Sequence, residues 1–243
     1  LILISIWLAG CQPEKTASTS LRVELSSTLR YLSPAIQACA LQVENTHIIL
    51  EEKTVDEIGK TGADVSLLWG DVRLPAGMQA YRLGSDRLIF ASHKDNPLVR
   101  LKISQAVFLV KGGFATWAEA LAAYCPACET TGDFKSRSIE AWHYTPGEDI
   151  SAEIARLAPD SQSTNLRRVW LAPDPQSLAQ ALSENPAAIG WLPARWLNVN
   201  LKEVYLDEVD PSAQVVPVIA AVPGQPQGNK ATWLQCLQTS YGN

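Results

Sequence analysis

The sequence predicts an α/β protein with mostly parallel sheets, on three observations. Short apolar, β-prone runs alternate with segments of helical period along nearly the whole chain. Several strand-to-helix junctions carry Ser, Thr or Asp, the residue types that favour a helix start. The chain has 243 residues with 47% hydrophobic side chains, enough for one large domain or two lobes. No fixed-period repeat is visible.

Taken in order, Leu21-Arg22-Val23-Glu24-Leu25 alternates with period two and reads as a strand. Ser26-Ser27-Thr28 then starts a helix through Tyr31, Leu32, Ala35, Ile36 and Cys39, with Pro34 early in it. Strands follow at His47–Glu52 and Ala63–Trp69, with a short helix expected between them over Thr54–Gly59. A strand at Arg87–Ser92 leads to a turn at Asp95-Asn96-Pro97 and a helix over Ser104–Val110. Thr116 caps a further helix from Trp117 to Tyr124.

Ser138–Tyr144 alternates as a strand and runs through Thr145-Pro146-Gly147-Glu148-Asp149 into a helix over Ile150–Leu157. Arg168–Leu171 is a strand, Pro175–Ser183 a helix and Ala187–Leu192 a strand. Strands at Glu203–Leu206 and Val215–Ala220 precede a closing helix, Asn229–Leu237. The helix starts at Ser26–Thr28 and Thr145–Asp149 gather free N–H groups beside hydroxyls, a setting that holds small ligands.

The first eleven residues form an apolar run ending Leu8-Ala9-Gly10-Cys11, followed by the polar linker 12–20. This resembles a bacterial lipobox, with small residues before a cysteine that receives a diacylglyceryl group. The missing Met and basic lead suggest that the sequence starts inside the signal. Ten apolar residues cannot cross a bilayer core, which needs ~20. The expectation is export and a lipid tether at Cys11, on the extracytoplasmic face of a bacterial membrane.

Net charge is -5, with scattered basic residues, so a nucleic-acid partner is not expected. Apart from Cys11, four cysteines remain and allow three pairings. Thiols outside the cytoplasm tend to oxidise. We expect Cys125–Cys128 to close a small loop and Cys39–Cys236 to tie an early helix to the last one. Cys125-Pro126-Ala127-Cys128 follows a helix instead of opening one after a strand, unlike a thioredoxin-type site. No second such pair exists and His47, His93 and His143 are spread apart, so zinc has little support.

Two stretches carry a family resemblance. Arg87–Pro97, followed by Ile103-Ser104 and Gly113-Phe114-Ala115-Thr116-Trp117, resembles substrate-binding proteins of the phosphate ABC-transporter type. Ala187-Ala188-Ile189-Gly190-Trp191-Leu192-Pro193 resembles a later strand of the same proteins. The resemblance implies a two-lobed type II periplasmic-binding-protein-like fold with two hinge crossings and a ligand cleft between the lobes. Lobe one would comprise 21–88 plus 194–243, and lobe two 89–193. The ligand groups it implies are Ser26, Ser27 and Thr28, then Trp69, Gly70 and Asp71, and in lobe two Thr145, Gly147, Glu148 and Asp149.

One departure bears on the ligand. The family places an Arg and a Ser-Gly-Thr type loop where this chain has Thr145–Asp149. Glu148 and Asp149 complement the helix dipole and occupy the place of an anion, so an incoming phosphate would meet like charge. The ligand is then neutral, cationic or absent. The two carboxylates also suit a plain helix start.

Trp69 ends a strand and could wall the cleft or sit in the core. Trp142, Trp170, Trp191, Trp196 and Trp233 are expected in core or lobe-packing positions. Ser26 or Ser27 with His143 and Asp64 supplies a triad's residue types but no nucleophile elbow. Phosphate-loop, dinucleotide and H-E-x-x-H motifs are absent. Asp207, Glu208 and Asp210 read as solvated surface with at most a weak calcium contact.

The resulting expectation is a non-enzymatic, lipid-anchored solute-binding protein of an ABC importer, needing no cofactor or metal. Its partners would be a small-molecule solute, an ABC permease and, through the lipid, the membrane. The alternative is a degenerate sensor or surface interaction module without solute, distinguished by a cleft plugged with its own side chains. A secreted serine hydrolase ranks third.

Overall fold

A run of five buried residues, Val65-Ser66-Leu67-Leu68-Trp69, marks the centre of the first sheet: a strand covered on both faces needs no polar alternation. This is β3 (Val65–Trp69). The computed structural model describes residues 19–71, 74, 76–130, 132–145, 147–159 and 169–242. Cys11, the linker up to Ser18, Pro146 and Arg168 lie outside the described residues.

The first lobe is built on β1 (Thr19–Leu25), β2 (Thr46–Glu52), β3, the first half of β4 (Met78–His93) and β10 (Val215–Pro223). β1 pairs in parallel with both β2 and β3, while β10 lies antiparallel between β3 and β4. A 3-10 turn, Ser27–Leu32, follows β1 and passes into α1 (Ser33–Leu41), whose first turn accommodates Pro34. The last helix, α7 (Gly228–Gly242), packs on α1 and β4. Cys39 on α1 and Cys236 on α7 are disulfide-bonded.

In the second lobe, β4 continues beside β8 (Ala188–Pro193), then β6 (Glu140–Tyr144) and β7 (Val169–Ala172). β6 pairs in parallel with both β7 and β8. Around this sheet lie α2 (Ile103–Val110), α3 (Trp117–Tyr124), α4 (Gly132–Ser136), α5 (Asp149–Leu157) and α6 (Pro175–Glu184). Thr116 caps α3 in a reciprocal box with Glu119, and Asp174 caps α6. Cys125 and Cys128 are bonded to each other just past α3.

Two crossings join the lobes. β4 pairs with β10 up to Arg87 and with β8 from Leu88, so one continuous strand serves both sheets. The return runs from β9 (Leu201–Asp207) to β10 through a 3-10 turn at Pro211–Gln214. β9 pairs with Phe90–His93 of β4 and with β5 (Arg100–Lys102). Residues 201–204, within the 194–243 segment expected in the first lobe, thus pair with the second half of β4. No local pattern in β9 reveals this, because its partners lie about a hundred residues upstream.

Several expectations are corrected. Thr54–Gly59 forms hydrogen-bonded turns and no helix. Gly59 and Gly62 both have positive φ there, 78° and 72°. The buried Glu24 carboxylate gathers Gly59 N–H at 2.5 Å, Thr61 Oγ1 at 2.6 Å and Ser66 Oγ at 2.5 Å, which pins the loop. Trp170 is 54% exposed on the edge strand β7, stacked on Trp142 at 5.6 Å, and is not a core residue. Trp196 is half-buried, while Trp191 and Trp233 are core residues.

Candidate functional site

β1 ends at Leu25 with its side chain in the core, which leaves Ser26-Ser27-Thr28 at the sheet's C-terminal edge, facing the second lobe. All three are buried, at 1%, 7% and 0% exposure. β3 ends beside them at Trp69, followed by Gly70 with φ of 103° and Asp71. From the other lobe comes α5. Ile150 and Ile154 fix its apolar face, and Glu148 is its extended N-cap residue.

The helix start sends its carboxylates outward. Glu148 makes no side-chain cap bond to its own helix. Instead Ser27 Oγ donates to Glu148 Oε2 at 2.9 Å, and Thr28 Oγ1 donates to Asp149 Oδ1 at 2.5 Å. Asp149 Oδ1 also accepts from Ile150 N–H at 2.9 Å. Glu153 lies four residues after Asp149, on the same helix face. Its Oε1 accepts from Asp71 N–H at 3.1 Å while Oε2 accepts from Arg156 Nε at 2.7 Å.

Two flanking contacts complete the seam. Arg30 pairs with Glu52 of its own lobe at 2.6 Å and with Asp174 of the other at 3.0 Å. Arg156 donates to Ala213 O, at the return crossing, at 2.9 Å. Three carboxylates of one helix thus meet the donors of the opposite lobe. The two sets of turns are in direct side-chain contact across the seam.

The electrostatics follow from burial. Desolvation pushes the Asp149 carboxyl up to about 6, against the hydroxyls of Ser26 and Thr28, which lower it. Burial also raises Glu148, although Ser27 counteracts it. Tyr144, fully buried nearby, is held well above its usual range, first by desolvation and then by Asp149 and Asp174. Ser26 Oγ and Asp149 Oδ2 make no well-aligned hydrogen bond, although the Ser26 hydroxyl is close enough to lower the Asp149 carboxyl.

The other expected site residues are placed as follows. Trp69 is fully buried and donates its indole N–H to Asp86 at 3.3 Å, so it is a core residue and walls no cleft. Desolvation raises the pKa of the Asp86 carboxyl it meets. Thr145 binds Ala172 O through its backbone N–H, and Gly147 is an exposed turn residue with φ of 97°. Asp71 enters by its N–H, not its carboxylate.

His143 is bonded to Val110 O, and Asp64 accepts from Arg22 N–H and pairs with Lys230. Neither of these contacts involves the seryl turn. Asp207 pairs with Arg100, Glu208 with Lys102, and Asp210 caps the turn at Ser212. Among the described residues no group of three or more His, Cys, Asp or Glu is placed to hold a metal ion. None of the described helices is long and apolar enough to cross a membrane.

Sequence reasoning missed Glu153, Arg30 and Arg156. Glu153 was legible only as the residue one helical turn beyond Asp149. Its partner Asp71 is 82 residues away. Gly70 tests the seam directly: an added Cβ would lie 2.7 Å from Glu153 Oε1, and the positive φ disfavours any side chain. Gly70→Ala is expected to cost about 2 kcal/mol from backbone strain alone. It should also enlarge the radius of gyration in small-angle scattering, as Glu153 is driven from Asp71.

No family model matches the sequence, and no curated protein matches it. Solved structures do. A putative phosphate ABC-transporter substrate-binding protein from Clostridium perfringens, with bound phosphate, superposes with a TM-score of 0.70 at 13% identity. That match covers 90% of this chain and 93% of the other. An ABC-type phosphate transport receptor from Vibrio cholerae gives 0.63 at 12% identity, over 91% and 98% of the two chains. The Synechocystis PCC6803 CcmR regulatory domain, in complex with 2-PG, gives 0.63 at 13%, over 92% and 98%. The fold is that of the type II periplasmic binding proteins, two-lobed and mixed α/β.

Proposed function

We propose that this protein is a binding-protein-fold sensor or interaction module outside the cytoplasm, its cleft closed by its own carboxylates, and not a receptor for free phosphate. The observation that carries this reading is the set of three donors, Ser27 Oγ, Thr28 Oγ1 and Asp71 N–H, each given to a carboxylate of α5. A phosphate entering there would have to displace three hydrogen bonds. It would also meet two adjacent carboxylates; like charges 4 Å apart repel by about 4 kcal/mol at an effective dielectric of 20. The likeness to a regulatory domain, alongside transport receptors, is consistent with a sensing role on this fold.

Thermal melts and titration calorimetry with inorganic phosphate at pH 7.5 test this. The expected shift at ~100 times a micromolar-range Kd is nil, whereas a true ligand would add about 2.7 kcal/mol. A clear rise in melting temperature with phosphate would overturn the reading.

A second reading, delivery of a neutral or cationic solute to an ABC permease, is favoured by the superposition on two transport receptors. A melting-temperature rise with an amino acid, sugar or polyamine would decide for it. Both readings include a lipid tether at Cys11, for which intact mass should reveal a diacylglyceryl adduct.

A further inference from the structure

The seam is more than a plugged cleft, because its two sides are unequally satisfied. On the first lobe stand three hydroxyls, those of Ser26, Ser27 and Thr28, and the Asp71 N–H. On α5 stand carboxylates at Glu148, Asp149 and Glu153. Two hydroxyls and the N–H are held in well-formed bonds; the Ser26 hydroxyl, on a residue only 1% exposed, approaches Asp149 without an aligned hydrogen bond. Asp149 Oδ2 likewise has no aligned hydrogen bond. A buried hydroxyl whose bond is poorly aligned costs free energy that a better-fitting occupant would recover.

We infer that the first lobe carries a carboxylate receptor, made of Ser26, Ser27, Thr28 and the Asp71 N–H, which α5 occupies in cis as an autoinhibitory ligand. The inference rests on the reading above and names the ligand class that the opened site would take. That class is a molecule carrying two or more carboxylates, because the receptor already holds three, two from adjacent residues and the third about one helical turn further on. The cis occupant is tethered through two hinge crossings, so it competes at a high effective concentration. A free polycarboxylate would bind only when the lobes part.

The contacts explain why the occupant can leave. Glu148 is half-buried and reaches the receptor by one hydrogen bond, as does Glu153. No Lys or Arg pairs with Glu148 or Asp149 among the ion pairs of the described residues. Hinge opening in such folds is a motion of whole lobes, with the change absorbed at the crossings.

The experiment compares the wild type with Glu148→Ala/Asp149→Ala/Glu153→Ala by calorimetric titration of citrate at pH 7.5, with inorganic phosphate as a second arm. The variant is expected to bind citrate about 100-fold more tightly than the wild type, the order of advantage lost with a tethered competitor. Adding Ser27→Ala/Thr28→Ala to it should abolish that gain. A variant that is folded by circular dichroism yet binds citrate no better than the wild type overturns the inference.

Should the triple variant not fold, Glu148→Ala/Glu153→Ala keeps the buried Asp149 and should still gain about 10-fold; no gain overturns it equally. Phosphate binding by the variant without citrate binding overturns the polycarboxylate class. Phosphate binding by the wild type sinks the proposed function instead, so the two failures are distinguishable.

Discussion

Removing the Cys39–Cys236 disulfide, as Cys39→Ala/Cys236→Ala, is expected to lower stability by about 5 kcal/mol on the chain-entropy model. The bond spans a sequence separation of 197 and joins α1 to the last helix. An unfolded chain closed into so long a loop loses much of its conformational freedom, and cutting the link returns it. Cys39 is fully buried, so the lost sulfur also removes packing between the two helices.

By contrast, Cys125–Cys128 has a separation of three, and the same model gives about 2 kcal/mol. Chemical denaturation of the two double-alanine variants checks the ratio. Equal losses would show that unfolded-state constraint does not govern the contribution of the long link.

The second large effect concerns protons. Asp149 titrates at about 6 in the folded protein, above the 3.8 of an unperturbed aspartate. A folded-state pKa raised in this way adds stability that is fully present below the unfolded value and is lost as pH rises through the folded one. The window therefore runs from about pH 4 to pH 7. Two pKa units correspond to about 3 kcal/mol across it, and to roughly half of that between pH 5 and pH 7.5.

Asp149→Asn keeps an acceptor for Thr28 and Ile150 N–H but cannot ionise. The difference in stability between this variant and the wild type should thus grow in the variant's favour from pH 4 to pH 7.5. A difference that stays flat over this range would show that Asp149 does not carry the titration. Asp149→Ala separates charge from contact: it leaves the Thr28 hydroxyl and the Ile150 N–H without their acceptor, which costs about 1–3 kcal/mol each.

The sequence by itself determined the alternation of strands and helices, the cap at Thr116, and the placing of acidic residues at the start of α5. These are local properties. A period of two or 3.6 residues, or a Ser beside free N–H groups, is read within one window. Where the window misled, the cause was distant. Met78–Asp86 is largely half-exposed and shows little apolar alternation, yet it is the first half of a strand because β10 pairs with it. Trp69 sits at a strand end like a cleft residue, and only Asp86, on the crossing strand β4 beyond β10, draws its indole inward.

Tertiary structure alone decided the character of the site. Glu148 and Asp149 could have been ordinary helix-start carboxylates. Their partners, Ser27 and Thr28, lie 121 residues upstream in the turn that follows β1. Whether those groups touch depends on how two lobes close about their crossings, a global geometry that no local preference encodes. Closure turns helix-start carboxylates into ligands for the opposite lobe, because buried hydroxyls facing buried carboxylates have no water left to bind.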